Sequence, residues 1–316
     1  MSISIENIIE AVKTAEKSTE LLGNRQLTKV LTGFSGIKMI RLLQELTQLY
    51  TQEENAVYLE VGVFQGMTLL SSASASNLLC YGIDNFNFFD PKQQNREIIE
   101  ERRVKLGIEN AHLINLDYED ALENLPTHMG ADKKVGVYFI DGPHDYRSQL
   151  MCLQLILPHL AENAVIVIDD CNYQHVRQAN RDFLATNLGF KLLFEAYTNC
   201  HPMNMTSAQK AEATEGFWDG VNVIVRDKDN LLPKKFPPTE RNRTVFENDH
   251  LVHSAQVRHG AVHALNFLTS LLKFNLKKAL VEFGRFWKVY RNKGQQGAFM
   301  HSNTFSENLP KSHLVQ

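Results

Sequence analysis

The chain is expected to fold as an α/β protein with a doubly wound, mostly parallel sheet, and three observations carry that expectation. Short apolar runs alternate with stretches of helical periodicity. Successive apolar runs finish beside carboxylates, namely Glu60, Asp84, Asp117, Asp141 and the pair Asp169 and Asp170. The first run leads from Glu60 through Gly62 to Gly66, an acid followed by two spaced glycines.

From Ile5 to Leu49 the apolar residues recur at helical spacing, interrupted between Gly33 and Gly36, which predicts two or three helices ahead of the sheet. Val57 to Val61, Leu79 to Ile83, His112 to Leu116, Val135 to Ile140 and Ala164 to Ile168 read as strands with helices between them. Lys191 to Ala196 and Gly220 to Val225 read as two more. The stretch between those two, Asn199 to Glu215, is polar and has no strong helical pattern, so they are expected to pair as an antiparallel edge hairpin. The sheet then has seven strands, the last one antiparallel. A Pro-rich, charged linker follows from Leu231 to Asn248, then one long amphipathic pattern from His263 to Tyr290, and composition predicts disorder from Gly294 onward. The expected organisation is a helical cap over 1–54, a central domain over 55–230, and a linker, basic helix and tail over 231–316.

With 316 residues and 43% hydrophobic content the chain can bury a full core. Its net charge of −3 is unevenly spread: residues 231–316 hold 13 Lys/Arg and 5 Asp/Glu, a surplus of 8 that leaves −11 on residues 1–230. Cys80, Cys152, Cys171 and Cys200 are widely spaced and form no Cys-x-x-Cys pair, which fits a reduced compartment. Met1 to Val12 has no basic region followed by an apolar stretch, and no segment reaches the ~18 uninterrupted apolar residues of a spanning helix, so a cytoplasmic location is expected.

The spacing Glu60-x-Gly62-x-x-x-Gly66 differs from the Gly-x-Gly-x-x-Gly of dinucleotide folds and from the Gly-Lys-Ser/Thr ending of phosphate loops. A glycine at a strand end lets backbone approach a ligand closely, whereas Glu60 repels phosphate and welcomes a cation. A ligand carrying an ammonium or sulfonium group suits this loop better than a pyrophosphate.

Glu60 to Gly66, Asp84, the run from Phe139 through Asp141 and His144 to Tyr146, and Ile168 to Asp170 together resemble the class I S-adenosylmethionine-dependent methyltransferases, over residues 55 to 227. Within that family the chain resembles the metal-dependent O-methyltransferases of the macrocin and mycinamicin type, which modify sugar hydroxyls. The resemblance implies a Rossmann-like sheet, S-adenosyl-L-methionine as cofactor, and a small-molecule hydroxyl acceptor from sugar or natural-product chemistry. It places Gly62 and Gly66 against the methionine part of the cofactor, Glu60 toward its ammonium, Asp84 on the ribose hydroxyls, and Asp117, with Tyr118, near the adenine. Plain structural roles compete: a strand-end glycine serves a turn, and an acid there caps a helix.

Asp141, Asp169 and Asp170 are expected to hold Mg2+ or another divalent cation, because adjacent carboxylates at a strand end repel one another unless a cation lies between them. The alternative is a cap on the helix beginning near Gln174. In the resembling enzymes the metal binds acceptor oxygens and lowers the hydroxyl pKa. His144, in the turn after Asp141, is the candidate general base, with a loop-bonded structural histidine as its alternative. Catechol and caffeoyl-type relatives tend to carry lysine at the position of His144 and asparagine at that of Asp170, and those departures favour sugar or aliphatic hydroxyls. Tyr146, Asn172, Tyr173, His175, Trp218 and Asp219 are weaker candidates for acceptor contacts.

Leu265, Leu268, Leu272, Leu276, Leu280, Phe283 and Trp287 recur with Lys273, Lys277, Lys278, Arg285, Lys288 and Arg291 between them. That 263–291 helix is expected to pack on the body or a second subunit, or to contact an anionic membrane or an acidic carrier domain. Nucleic-acid binding is not expected, because the body is acidic and carries no recognition motif. His259 and His263 match a zinc spacing without a third ligand. A catechol or phenol O-methyltransferase, a nicotinamide-dependent oxidoreductase and a non-catalytic binding module of the same fold are the rival readings.

Overall fold

The protein is described here by a computed structural model covering residues 3–23, 26–87, 89–198, 200–239 and 249–291. Three helices come first. α1 (Ile5–Lys17) starts at a reciprocal cap between Ser4 and Asn7 and turns Ile8, Ala11, Val12 and Ala15 inward. α2 (Leu27–Val30) is a single turn, and α3 (Ile37–Tyr50) starts at Gly36, where a Cβ would strike the carbonyl of Gly216.

Strands and helices then alternate: β1 (Ala56–Val61), α4 (Met67–Ala75), β2 (Cys80–Ile83), α5 (Asn95–Leu106), β3 (Ala111–Ile114), α6 (Tyr118–Glu123), α7 (Leu125–Met129), β4 (Lys134–Ile140), α8 (Tyr146–Leu155), β5 (Leu160–Ile168), α9 (Gln174–Thr186), β6 (Phe190–Ala196), α10 (Ser207–Glu215) and β7 (Val221–Arg226). They form one seven-stranded sheet in the order β3-β2-β1-β4-β5-β7-β6. β7 runs antiparallel to both its neighbours and every other pairing is parallel. The direction of winding reverses between β1 and β4, where α/β sheets leave a crevice for ligands.

The strands are apolar on both faces because both faces are covered. Tyr58, Val137, Phe139, Val165, Val167 and Val223 pack with α1, α3 and α4 on one side. Val57, Leu59, Tyr138, Ile140, Ile166 and Ile224 pack under α6 to α9 on the other. Tyr50 joins α3 to the sheet: its ring lies where a Cβ on Gly136 would be, and its hydroxyl donates to the Asn163 carbonyl.

The expected antiparallel pair is present, with β6 alone at the edge and β7 inside the sheet. The segment between them differs from expectation, since it contains α10. A capping box between Thr206 and Gln209 nucleates that helix despite its weak apolar face.

The chain divides into two compact units, residues 1–241 and 242–316. In the second, α11 (Asp249–Leu272) and α12 (Leu276–Arg291) form a hairpin rather than the single amphipathic helix expected. The pattern breaks at Lys273 to Asn275, where Phe274 takes a left-handed φ of 54° and the Asn275 side chain accepts from Lys278 N–H, capping α12. His263 Nδ1 lies 2.6 Å from Glu282, which also accepts from Arg285, and Phe267 contacts Phe283 across the seam. His263 is thus an interhelix partner, while the side chain of His259, the segment 240–248 of the linker and everything from Gly294 onward lie outside the described residues. No described helix is long and apolar enough to cross a membrane.

Because the Tyr50 ring fills the space beside Gly136, Gly136→Ala is expected to lower stability by about 1–3 kcal/mol, read as a lower denaturant midpoint at unchanged slope.

Candidate functional site

Register brings the strand-end acids together. Val61 lies level with Ile83 and Ile140, and Ile140 with Ile168, so the residues that follow form one row along the sheet edge. The ladder continues one step beyond the strands: Gly62 N–H donates to the Ile83 carbonyl, Asp84 to Ile114, Asp141 to Val61 and Asp169 to Ile140.

The loop from Gly62 to Gly66 is built around its glycines. Gly62 has φ +90° and a Cβ there would collide with the Asp141 carbonyl, so β1 and β4 come this close only with glycine at that position. Gly66 has φ +79° and stands at the N-terminus of α4. Asp84 ties the loop to β2. Its Oδ2 accepts from Val63 N–H and Phe64 N–H, both at 2.9 Å, and its Oδ1 from Phe86 N–H at 2.7 Å. Each oxygen can accept more than one hydrogen bond, so Asp84 braces the loop with acceptor capacity left.

Glu60 is fully buried beneath this loop, where it accepts from the Tyr58 hydroxyl at 2.6 Å and the Thr68 hydroxyl at 3.2 Å. Burial, reinforced by the nearby Asp84, pushes its pKa up to about 8 against the lowering effect of both hydroxyls. Asp117 caps α6, accepting from Glu119 N–H, and Asn85 donates to its other oxygen at 3.4 Å. The helix-cap role weighed for Asp117 is therefore occupied. Tyr118, the first residue of α6, donates to Glu119 and has its pKa raised to about 12, mainly by burial.

At the ends of β4 and β5, one donor atom each from Asp141, His144 and Asp170 lies within 4.8 Å of the others. The turn after Asp141 brings His144 back over the strand end, and Asp145 then caps α8 by accepting from Ser148 N–H. His144 Nε2 lies 2.7 Å from Asp170 Oδ2. Burial alone would lower the His144 pKa, but the Asp170 hydrogen bond and charge, with Asp169 and Asp219 behind them, raise it. Asp170 adopts a left-handed φ of 54°, a conformation aspartate tolerates better than most residues. That reversal directs its carboxylate toward His144.

Asp169 differs from its neighbour. Its Oδ1 accepts from Asp170 N–H at 2.8 Å and it is buried behind the trio, so the expected set of Asp141, Asp169 and Asp170 and the assembled set differ by one member. His144 is the third member of the close group. Burial followed by mutual repulsion raises both Asp141 and Asp169 well above the usual carboxylate range: Asp141 feels Asp170, Glu60 and Asp84, and Asp169 feels Asp141 and Asp170. Two nearby carboxylates and an imidazole with this surplus of negative charge suit a divalent cation through hard oxygen donors and one nitrogen.

A further layer lies beside the trio. Tyr173 stacks on His144 with ring centroids 5.8 Å apart, and also contacts His175 and His201. Asp219 is buried, accepts from Asn172 Nδ2 at 2.7 Å, and has its pKa pushed up to about 7 by burial and by Asp170. His201 Nε2 stands 3.8 Å from it. Tyr173, His175, Asn172 and Asp219 were weak sequence candidates and His201 was not one. Asp219 precedes β7, and because β7 is antiparallel its beginning reaches the edge where parallel strands end. That reversed entry was the signal available in the sequence. Tyr146 is set apart from this layer, its hydroxyl bonded to Asp182.

A cavity of about 600 Å³ opens among the end of α1, the start of α3, the end of β6 and α10, with Ser18, Lys38, Tyr197, Thr198, Met205 and Gln209 in its wall. Thr198 connects that wall to the acidic layer, since Asn172 donates to its hydroxyl and accepts from its N–H.

No curated protein matches the chain. Among solved structures, an O-methyltransferase from Bacillus cereus in complex with S-adenosylhomocysteine is similar at 12% identity, covering 72% of this chain and 93% of its own, with a TM-score of 0.43. An O-methyltransferase from Streptomyces achromogenes involved in tomaymycin synthesis, in complex with S-adenosylmethionine, is similar at 16% identity over 69% of this chain and 90% of its own, with a TM-score of 0.44. An rRNA methylase from Streptococcus thermophilus is similar at 16% identity over 58% of this chain and 91% of its own, with a TM-score of 0.39. Residues 59–171, which hold the glycine loop, Asp84 and the ends of β4 and β5, match the family model described as a methyltransferase domain.

Proposed function

We propose that the protein is an S-adenosylmethionine-dependent O-methyltransferase whose acceptor is a small hydroxylated molecule. The observation that carries this reading is the row of level strand ends in which a glycine loop and an excess of buried carboxylate face one crevice. A cationic donor and a divalent cation would relieve that excess, and the match of residues 59–171 to a methyltransferase domain supports the donor's identity.

Gly62 and Gly66 would border the methionine part of the donor, Glu60 would face its ammonium, and Asp84 would receive the ribose hydroxyls through the acceptor capacity left after bracing the loop. Asp117 and Tyr118 would flank the adenine, with Asp117 acting from its cap position. Asp141 and Asp170 would hold the cation, with Asp169 as a third ligand. Bound there, Mg2+ or a similar ion would polarise an acceptor hydroxyl.

His144 fits the general-base role, because Asp170 holds Nε2 and leaves Nδ1 as the nitrogen able to take the acceptor proton. Bound in the crevice, the donor would supply the methyl group, its S–CH3 bond breaking as the acceptor O–CH3 bond forms, with S-adenosylhomocysteine as the leaving group and the acceptor proton passing to His144. The protein contributes mainly alignment, worth about 7–11 kcal/mol in well-oriented models. The cavity walled by α1, α3 and α10 is the proposed acceptor pocket, large enough for a sugar or a larger natural product. Its mixed polar wall suits polyhydroxylated acceptors better than catechols.

Calorimetry is expected to show S-adenosylhomocysteine binding that Gly62→Ala abolishes. Tight NAD(H) binding with no S-adenosylhomocysteine uptake would decide for an oxidoreductase. Manganese binding followed by electron paramagnetic resonance should disappear in Asp141→Asn, whereas His144→Gln should keep the ion and lose roughly 10²–10⁴-fold in methyl transfer to hydroxylated acceptors. Loss of the ion in His144→Gln would make this residue a ligand instead of the base.

Glu60 gives a pH test. An unfolded chain ionises it near the ordinary value of 4.5, whereas the ligand-free fold does so at about 8. The unfolded state therefore holds fewer protons between these values, and Glu60 removes stability as pH rises through that window. Thermal denaturation of ligand-free Glu60→Gln should decline less steeply over the same window, and its S-adenosylhomocysteine affinity should fall by roughly 10–100-fold.

A further inference from the structure

Among the described side chains of the second unit's hairpin, most of the apolar ones are uncovered. Its seam is narrow, made by Ser270, Ala279, the Phe267 and Phe283 contact and the His263 and Glu282 hydrogen bond. At the turn between α11 and α12, Leu272 is 82% exposed and Phe274 is 92% exposed, with Leu276 beside them at 65%. Lys273, Lys277 and Lys278 are exposed at the same tip. The one acid of α12, Glu282, is buried and already bonded to His263 and Arg285, so among the described residues no acid on the tip offsets the three lysines.

The geometry points to the tip of this hairpin as a docking surface for an anionic lipid bilayer. Leu272, Phe274 and Leu276 would enter the headgroup boundary while Lys273, Lys277 and Lys278 stay level with the lipid phosphates. Apolar residues alone would fit many occupants; the lysines among them select a surface that is fluid, apolar beneath and negative on top. Long lysine stems suit that boundary, because the methylenes sink with the apolar side chains and the ammonium remains wet. A second copy is disfavoured by charge, since a two-fold contact through the tips would face lysines with lysines. An acidic protein would match the lysines, yet Leu272 and Phe274 project from a convex turn and would each need a fitted hollow. Neither helix is apolar enough to cross, so the contact is interfacial.

Sedimentation of the full chain with vesicles tests this. Binding is expected to vesicles of phosphatidylcholine with phosphatidylserine, to weaken at high salt, and to be at least tenfold weaker on phosphatidylcholine alone. Lys277→Gln with Lys278→Gln should reduce partitioning by roughly 30-fold, and Leu272→Ser with Phe274→Ser should reduce it at unchanged charge. Phe274→Trp should show a blue-shifted emission on the anionic vesicles, which reports entry of the tip itself. No sedimentation, or sedimentation with the emission of Phe274→Trp unshifted, overturns the proposal. So does a dimer in light scattering that Phe274→Ser dissociates, or equal binding to soluble polyglutamate that survives Phe274→Ser.

Discussion

Four backbone hydrogen bonds beyond the strand ends, from Asp84, Gly62, Asp141 and Asp169 to the carbonyls of the neighbouring strands, keep five segments level at one edge of the sheet. A slip of one residue in any of these pairings would turn its strand-end side chain to the other face and scatter the acids. Bulges within the β1–β4 and β4–β5 pairings lie toward the opposite ends of the strands, where they leave this edge undisturbed. Gly62 enforces the closest approach. The site thus rests on sheet register, and register rests on strands whose two apolar faces are both buried.

The same constraint explains the electrostatics. Glu60 and Asp169 are buried and Asp141 is half-buried; desolvation raises the pKa of each, and neighbouring acids add to it, Asp84 at Glu60, Asp170 and Glu60 at Asp141, and Asp141 and Asp170 at Asp169. A fold selected for stability alone would place amides or apolar groups there, since unpaired buried charge costs several kcal/mol. Asp84 stands apart because three backbone N–H groups satisfy it. Acids left without a counter-charge mark the positions where an external cation is wanted, and the braced one marks the scaffold that presents them.

Much of this could be read from residues, and what could not has physical causes. Apolar runs bounded by acids gave five of the seven strands and apolar runs alone the other two, because strands buried in a sheet leave a continuous signal that survives in one sequence. α10 escaped because a helix of nine residues held by its cap and by Gly216 needs little apolar periodicity. The hairpin escaped for the opposite reason: the spacing from Leu265 to Trp287 remains helical across the turn, and only the left-handed Phe274 and the Asn275 cap interrupt it. At the site, Asp141, Asp170 and His144 were visible as a motif. That Asp170 and not Asp169 would stand against His144 was not, because alternation at a strand end sends adjacent side chains to different places and the chain reverses between them.

Asp219 extends this reasoning. It enters from an antiparallel strand, so its position owes nothing to the rule that gathers parallel strand ends, yet it arrives beside Asp170 with a pKa near that of an imidazole. Asn172 fixes one of its oxygens and simultaneously holds Thr198 in the wall of the cavity. Tyr173 stacks between His144 and the histidines of the outer layer. The acidic layer beside the inner trio and the wall of the cavity are therefore tied through one asparagine. A molecule bound in the cavity would touch Thr198 and so bear on Asn172 and on Asp219, whose charge acts on Asp170 and His144. Under the proposed function, that coupling would reserve the most favourable electrostatics of the trio for the state in which an acceptor is present.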